Sequence, residues 1–216
     1  MTPTLAVIAK APAAGRSKTR LCPPCTPDEA AALAEAALRD TLDALLAAPV
    51  DARRVLVLDG LPGRWLPPGV DVLAQRGDGL GERLAAAFAD LGGPTFLIGM
   101  DTPQVTAALL AEGLGALDRA RAVLGLAPDG GYWGVGLRAA DPAAFAGVPM
   151  STARTGAVQL ARLRALGLRP LPLPALRDVD TFADARAVAE RAPRGRFAAT
   201  LAAIEPALAA RTRAAA

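Results

Sequence analysis

Two lysines occur in the 216 residues, and both fall in one segment, Lys10-Ala-Pro-Ala-Ala-Gly15-Arg-Ser-Lys18-Thr-Arg20-Leu. Every other basic residue is an arginine. A compact ammonium suits a phosphate oxygen or a developing charge in a tight site, where a planar guanidinium fits less well. Gly15 would let backbone N–H groups come close to the same oxygens. Lys10, Gly15, Lys18 and Arg20 are therefore candidates for holding a nucleotide's phosphates. The spacing matches neither the Walker A loop nor the GxGxxG turn, and a solvated basic loop has the same composition.

Acids are placed in a comparable way. In Gly99-Met-Asp101-Thr-Pro103, a lone carboxylate follows an apolar run. It could hold Mg²⁺ or Mn²⁺, which take one or two protein carboxylates plus phosphate oxygens and water, or it could cap the next helix. In Arg177-Asp178-Val-Asp180, the two acids alternate by two and share one side of an extended segment. Turned toward Asp101 they could share its metal; otherwise they form a solvated turn before the following helix. Asp129-Gly130-Gly131-Tyr132 contains the sole tyrosine and two glycines that leave room for an acceptor. Asp-Gly-Gly is equally a hairpin turn. Gln75-Arg-Gly77-Asp-Gly79-Leu-Gly81 could wrap a nucleobase through its backbone. Ser151 and Thr152, just before a helix, could hold an anion or serve as caps.

Absences narrow the chemistry. The chain has no histidine, which removes Ser-His-Asp and Cys-His catalysis and every histidine-containing zinc site. Cys22 and Cys25 flank two prolines, and two thiolates cannot complete a four-ligand zinc site. Without other thioredoxin features the pair reads as a plain loop. A net charge of +3 with only 4% aromatic residues, and no dense basic block, argues against nucleic-acid binding. The apolar run Thr4–Ala9 is too short to cross a bilayer and lacks a cleavage pattern, so no membrane role and a cytoplasmic location are expected.

The elements that must position these residues alternate. Strands are predicted at Thr4–Ala9, Arg54–Leu58, Val70–Ala74, Thr95–Gly99, Ala122–Leu126, Tyr132–Leu137 and Arg169–Leu173. Helices are predicted at Pro27–Ala47, Leu80–Leu91, Gln104–Leu117, Thr155–Leu166, Phe182–Arg191 and Phe197–Arg211. Thr26 with Glu29 and Thr181 with Asp184 have capping-box spacing. Alternation of this kind implies an α/β fold: one domain over residues 1–216, with a mostly parallel, Rossmann-like sheet flanked by helices and a frayed tail at Arg211–Ala216. Open α/β sheets bind ligands beyond the carboxyl ends of their strands, where the unusual residues fall.

The set KAPxxGxxKTRL, GMDTP, APDGGYWGVGL, MSTxRTG and DVDTFAD resembles the bacterial radical-SAM/selenodomain-associated glycosyltransferase-like family. That family is related to 2-phospholactate guanylyltransferase and molybdenum cofactor guanylyltransferase. The resemblance runs in order from about Leu5 to Asp184. It implies the nucleotide-diphospho-sugar transferase fold (glycosyltransferase type A), with Lys18 and Arg20 on donor phosphates, Gly79 and Gly81 near the base and Asp101 with Asp180 on a metal. Asp129 to Trp133 would face the acceptor. A GGxGxR loop and a full DxD triplet are missing, so two chemistries stay open. One is nucleotidyl transfer from an NTP to a phosphorylated or acidic small molecule; the other is glycosyl transfer from a nucleotide sugar. A catalytically silent nucleotide-binding protein is a third reading, and homodimerisation is left open.

Overall fold

A computed structural model describes residues 2–214 of the chain. Four short apolar runs become strands buried on both faces: β1 (Thr4–Lys10), β2 (Arg53–Asp59), β4 (Thr95–Gly99) and β5 (Ala122–Leu126). β3 (Asp71–Ala74), β6 (Tyr132–Leu137) and β7 (Leu171–Leu173) complete one seven-stranded sheet in the order β3-β2-β1-β4-β6-β5-β7. All neighbours pair in parallel except β6, which runs antiparallel to both β4 and β5. The β5–β6 link is only the turn through Asp129-Gly130-Gly131, too short for a parallel crossover, so the local hairpin sets the direction of β6. Pro172 and its neighbours form β7 at the sheet edge, where proline costs no central ladder bond. That strand is shorter than predicted because Arg169 takes a left-handed φ of 47°.

Helices α1 (Pro27–Ala47) and α3 (Ala107–Gly115) cover one face of the sheet. Helices α2 (Leu80–Leu91) and α4 (Thr155–Ala165) cover the other. The edge-to-face pair Phe96–Trp133, with centroids 5.8 Å apart, sits in the first core. Both capping boxes form, at Thr26/Glu29 for α1 and Thr181/Asp184 for α5 (Phe182–Arg191).

Helix α6 (Arg196–Ala214) packs on α1 and α5 and is capped across the fold. The Asp40 carboxylate accepts the amides of Arg196 and Phe197 at 2.9 and 2.8 Å. The frayed tail predicted at Arg211–Ala216 is instead helical through Ala214, with 215 and 216 outside the described residues. Its Arg211 donates to Glu29 at 2.5 Å, an anchor from another helix that the local sequence could not reveal. The helix predicted from Gln104 begins three residues later, because Thr106 supplies the cap by accepting the Leu109 amide.

Candidate functional site

The carboxyl ends of β1, β4 and β5 open into a cleft of about 780 Å³. Its first flank is the loop after β1. Ser17 fixes that loop by accepting the Ala13 amide at 3.0 Å. Lys18 follows with φ 50° and ψ 38°, a left-handed conformation that is strained for a residue with a Cβ. This backbone turns the ammonium inward: the Lys18 side chain is only 8% exposed, and Nζ lies 2.6 Å from Asp101 Oδ1. The same ammonium donates to the Val179 carbonyl. Two residues on, Arg20 pairs with Asp180 at 2.9 Å.

The second flank is a strap, residues 174–180, held at four points. Trp133 Nε1 donates to the Pro174 carbonyl at 3.0 Å, and Gln104 Nε2 donates to the Arg177 carbonyl at 2.7 Å. The Val179 amide donates to the Asp101 carbonyl at 2.9 Å, and Lys18 takes the Val179 carbonyl. Gly125 on β5 is what admits the Trp133 indole, since a Cβ there would lie 2.4 Å from the ring. Asp178 and Asp180 both line the cleft, in keeping with their spacing by two. Asp178 Oδ1 is buried and meets no hydrogen-bond partner among the described residues. Burial, reinforced by the nearby carboxylates of Asp101, Asp129 and Asp180 and opposed by Lys18, pushes the Asp178 carboxyl up to about 7. Asp101 does not cap α3, the alternative its position allowed; Thr106 does.

A third wall comes from β3 and α2. The Gln75 amide donates to the carbonyls of Ala9 and Val57 at 2.7 and 3.0 Å, so this side chain, although it borders the cleft, spends its amide on tying strands together. Its oxygen accepts from Arg83, which also pairs with Asp59 at 2.8 Å and holds that carboxyl below the usual range. Gly79 is the N-cap residue of α2, and Gly81 packs on Met150; neither lines the cleft.

The fourth wall is the β5–β6 turn with the start of α4. Asp129, Gly131, Tyr132, Ser151 and Thr152 all line it. Gly130 does not leave room for a ligand. At φ +91°, a Cβ on it would lie 2.0 Å from the Ala153 carbonyl, and its own carbonyl accepts the Gly156 amide at 2.8 Å. The Tyr132 hydroxyl is engaged too, 3.3 Å from Gln159 Oε1, and burial pushes its pKa upward. The Thr152 amide donates to Thr155 Oγ1 at 3.0 Å, which ties this segment to the first residue of α4 while it borders the cleft; the capping role that its hydroxyls also allowed is not used, since α4 has no side-chain cap. Ser151, like Lys18, is left-handed, at φ 59°.

Of the residues singled out from sequence, Lys10, Lys18, Arg20, Gln75, Asp101, Asp129, Gly131, Tyr132, Ser151, Thr152, Asp178 and Asp180 line this one cleft. Gly15 sits beside it on an exposed turn at φ +72°. Sequence reasoning passed over Arg16, Asp78 and Arg83. Arg83 had a usable signal, one turn into a helix whose N-terminus faces the ligand edge. Cys25 is buried, and that burial, followed by Glu29 and Cys22, pushes its thiol up to about 11, which suits a packed loop better than redox chemistry.

A family model described as an uncharacterized protein conserved in bacteria matches residues 30–152, more than half of the chain. The chain belongs to the DUF2064 family. Among curated proteins none matches it. A Desulfovibrio desulfuricans G20 structure, provisionally named a nucleotide-diphospho-sugar transferase, superposes on this DUF2064 protein with a TM-score of 0.85. It is 28% identical over 96% of this chain and 97% of the other. The 2-C-methyl-D-erythritol 4-phosphate cytidylyltransferase of Thermus thermophilus gives 0.55 at 18% identity, over 89% and 100%. Rv0371c of Mycobacterium tuberculosis H37Rv, in complex with manganese, gives 0.51 at 23%, over 88% and 99%. The fold is thus that of nucleotidyl- and glycosyltransferase-like proteins. Among the described residues, no helix is long and apolar enough to cross a membrane.

Proposed function

We propose that this DUF2064 protein is a nucleotide-dependent transferase, and that it moves a nucleotidyl group from an NTP to a small acceptor. One observation carries the reading: Lys18 and Arg20 on one flank meet Asp101 and Asp180 on the other, across the ligand-binding edge of the sheet. The cations lining the cleft, Lys10, Arg16, Lys18, Arg20 and Arg83, come from the β1 loop and α2. That side suits a triphosphate.

Mg²⁺ or Mn²⁺ fits the acidic side. Among the described residues no three acids form a ready-made metal cage. These ions, however, take only one or two carboxylates beside phosphate oxygens and water, and Asp178 presents a buried oxygen with no hydrogen-bond partner among the described residues. Asp101 and Asp180, with Asp178 behind them, would hold it. Bound there, the ion would neutralise charge on the phosphate oxygens.

The chain's own residues supply the rest. Lys18 and Arg20 stabilise the negative charge that grows on departing pyrophosphate, as preorganised donors need no reorganisation when the charge develops. The acceptor side carries Asp129, with the hydroxyls of Ser151 and Thr152. That carboxylate favours an acceptor hydroxyl over the phosphorylated or acidic acceptor expected from sequence. Its oxygen bonds to the α-phosphorus, the bond to the bridging oxygen breaks, and the proton passes to a carboxylate on that side. Gly131 and Tyr132 shape this wall.

Glycosyl transfer is the second reading, favoured by the name of the Desulfovibrio structure. Radical-SAM association and kinship with the guanylyltransferases belong with these proposals, as does a cytoplasmic location. Incubation with each NTP, and separately with UDP- and GDP-sugars, in the presence of Mg²⁺ and an acceptor library separates the chemistries. Pyrophosphate release is expected. Free nucleoside diphosphate from a nucleotide sugar would move the assignment to glycosyl transfer; donor binding without turnover would leave a silent nucleotide-binding protein.

A further inference from the structure

The Lys18 ammonium stands where a cation bound to Asp101 would also have to stand. It is nearly sealed from solvent, 2.6 Å from one carboxylate oxygen, and bonded at the same time to the Val179 carbonyl. Val179 in turn donates its amide to the Asp101 carbonyl, so ammonium, strap and acid close into one ring. The left-handed backbone at Lys18 fixes the direction of the side chain. An ion pair built into the fold competes with any free cation at that carboxylate, and it does so at no loss of translational freedom. Arg20 covers Asp180 in the same manner, though in the open: its side chain is 67% exposed.

We propose that Lys18 is a gate on the acidic side. It keeps a divalent ion off Asp101 until a polyphosphate enters the cleft and offers the ammonium a second anionic partner. Phosphate oxygens then draw Lys18 away from Asp101, and Arg20 from Asp180, so both carboxylates are released together. Affinity for the metal is thereby coupled to affinity for the donor, and by linkage each raises the other by the same factor. The protein has little use for metal alone and much for metal with its phosphates. This rests on the transferase reading for the presence of a polyphosphate and a metal, and gives Lys18 a role in metal entry in addition to its contact with the donor.

Mn²⁺ binding, followed by electron paramagnetic resonance of the free ion and by equilibrium dialysis, tests the gate without turnover. Lys18→Met keeps an unbranched side chain one atom shorter and removes the charge. Wild-type protein should bind Mn²⁺ alone weakly, and Lys18→Met should bind it about tenfold more tightly or better, equivalent to about 1.4 kcal/mol. Adding tripolyphosphate or an NTP should tighten Mn²⁺ on the wild type and have much less effect on the variant. Equal affinity of the two proteins for Mn²⁺ alone would overturn the gate. So would tight binding by the wild type without phosphate, a measurement that needs no variant to fold. Retention of no Mn²⁺ by either protein, even with nucleotide, defeats both the gate and the metal assignment. Tighter Mn²⁺ binding by the variant, together with wild-type protein that turns over no nucleotide donor, leaves the gate standing and removes the transferase.

Discussion

Replacing Asp178 with asparagine should stabilise the protein at alkaline pH and leave it nearly unchanged in acid. The side chain keeps its size, while the carboxyl that burial and three neighbouring acids push from 3.8 to about 7 is gone. Between these two values the folded protein retains a proton that the unfolded chain has released. Wild-type stability on this account is whole below pH 4 and falls as pH rises to 7, because the folded state binds more protons than the unfolded one. At 1.36 kcal/mol per pH unit the loss amounts to about 4 kcal/mol, and water reaching the open cleft lowers the expected value to about 2–3 kcal/mol. Urea unfolding of both proteins at pH 3.5 and pH 8 measures it. The difference should be within about 0.5 kcal/mol at the lower pH and should favour the variant by about 2 kcal/mol or more at the higher. A variant no more stable than wild type at pH 8 would refute the charge balance drawn for the cleft. Such a cost, retained in the ligand edge, is the kind of strain that functional sites hold against stability.

Two further outcomes follow from the geometry. Arg20→Ala breaks an exposed ion pair and should cost under about 1 kcal/mol, as should Arg186→Ala at the Arg186–Glu205 pair between α5 and α6, outside the cleft. Only the Arg20 change should slow transfer, by about 100-fold, in steady-state assays; equal turnover of the two variants would contradict a role on the donor phosphates. Trp133→Phe keeps the ring in the core but loses the bond to the Pro174 carbonyl, at a cost of about 1–2 kcal/mol. Amide exchange should then speed up across 174–180 with β4 to β6 still protected, and unchanged exchange in the strap would show that the indole does not hold it.

Much of this protein was legible in its sequence, for a local reason. Apolar runs of five to seven residues separated by alanine- and leucine-rich helices leave little choice but a parallel α/β sheet, and capping boxes at Thr26 and Thr181 fix where two helices begin. Lysine confined to one loop, and lone acids just past apolar strands, marked the ligand edge, since residue type and strand end are both local properties. What the sequence could not say is which of these groups touch. Lys18 and Val179 are 161 positions apart, and their bond depends on the strap that Trp133, Gln104 and Asp101 pin beside β4. Gln75, Gly130 and the hydroxyl of Tyr132 had the right chemistry for a ligand, yet packing uses them within the fold. Buried polar groups must find partners, and the nearest ones are supplied by the tertiary structure. Composition placed the charges at one edge; only the folded chain decided which of them were already spent on each other.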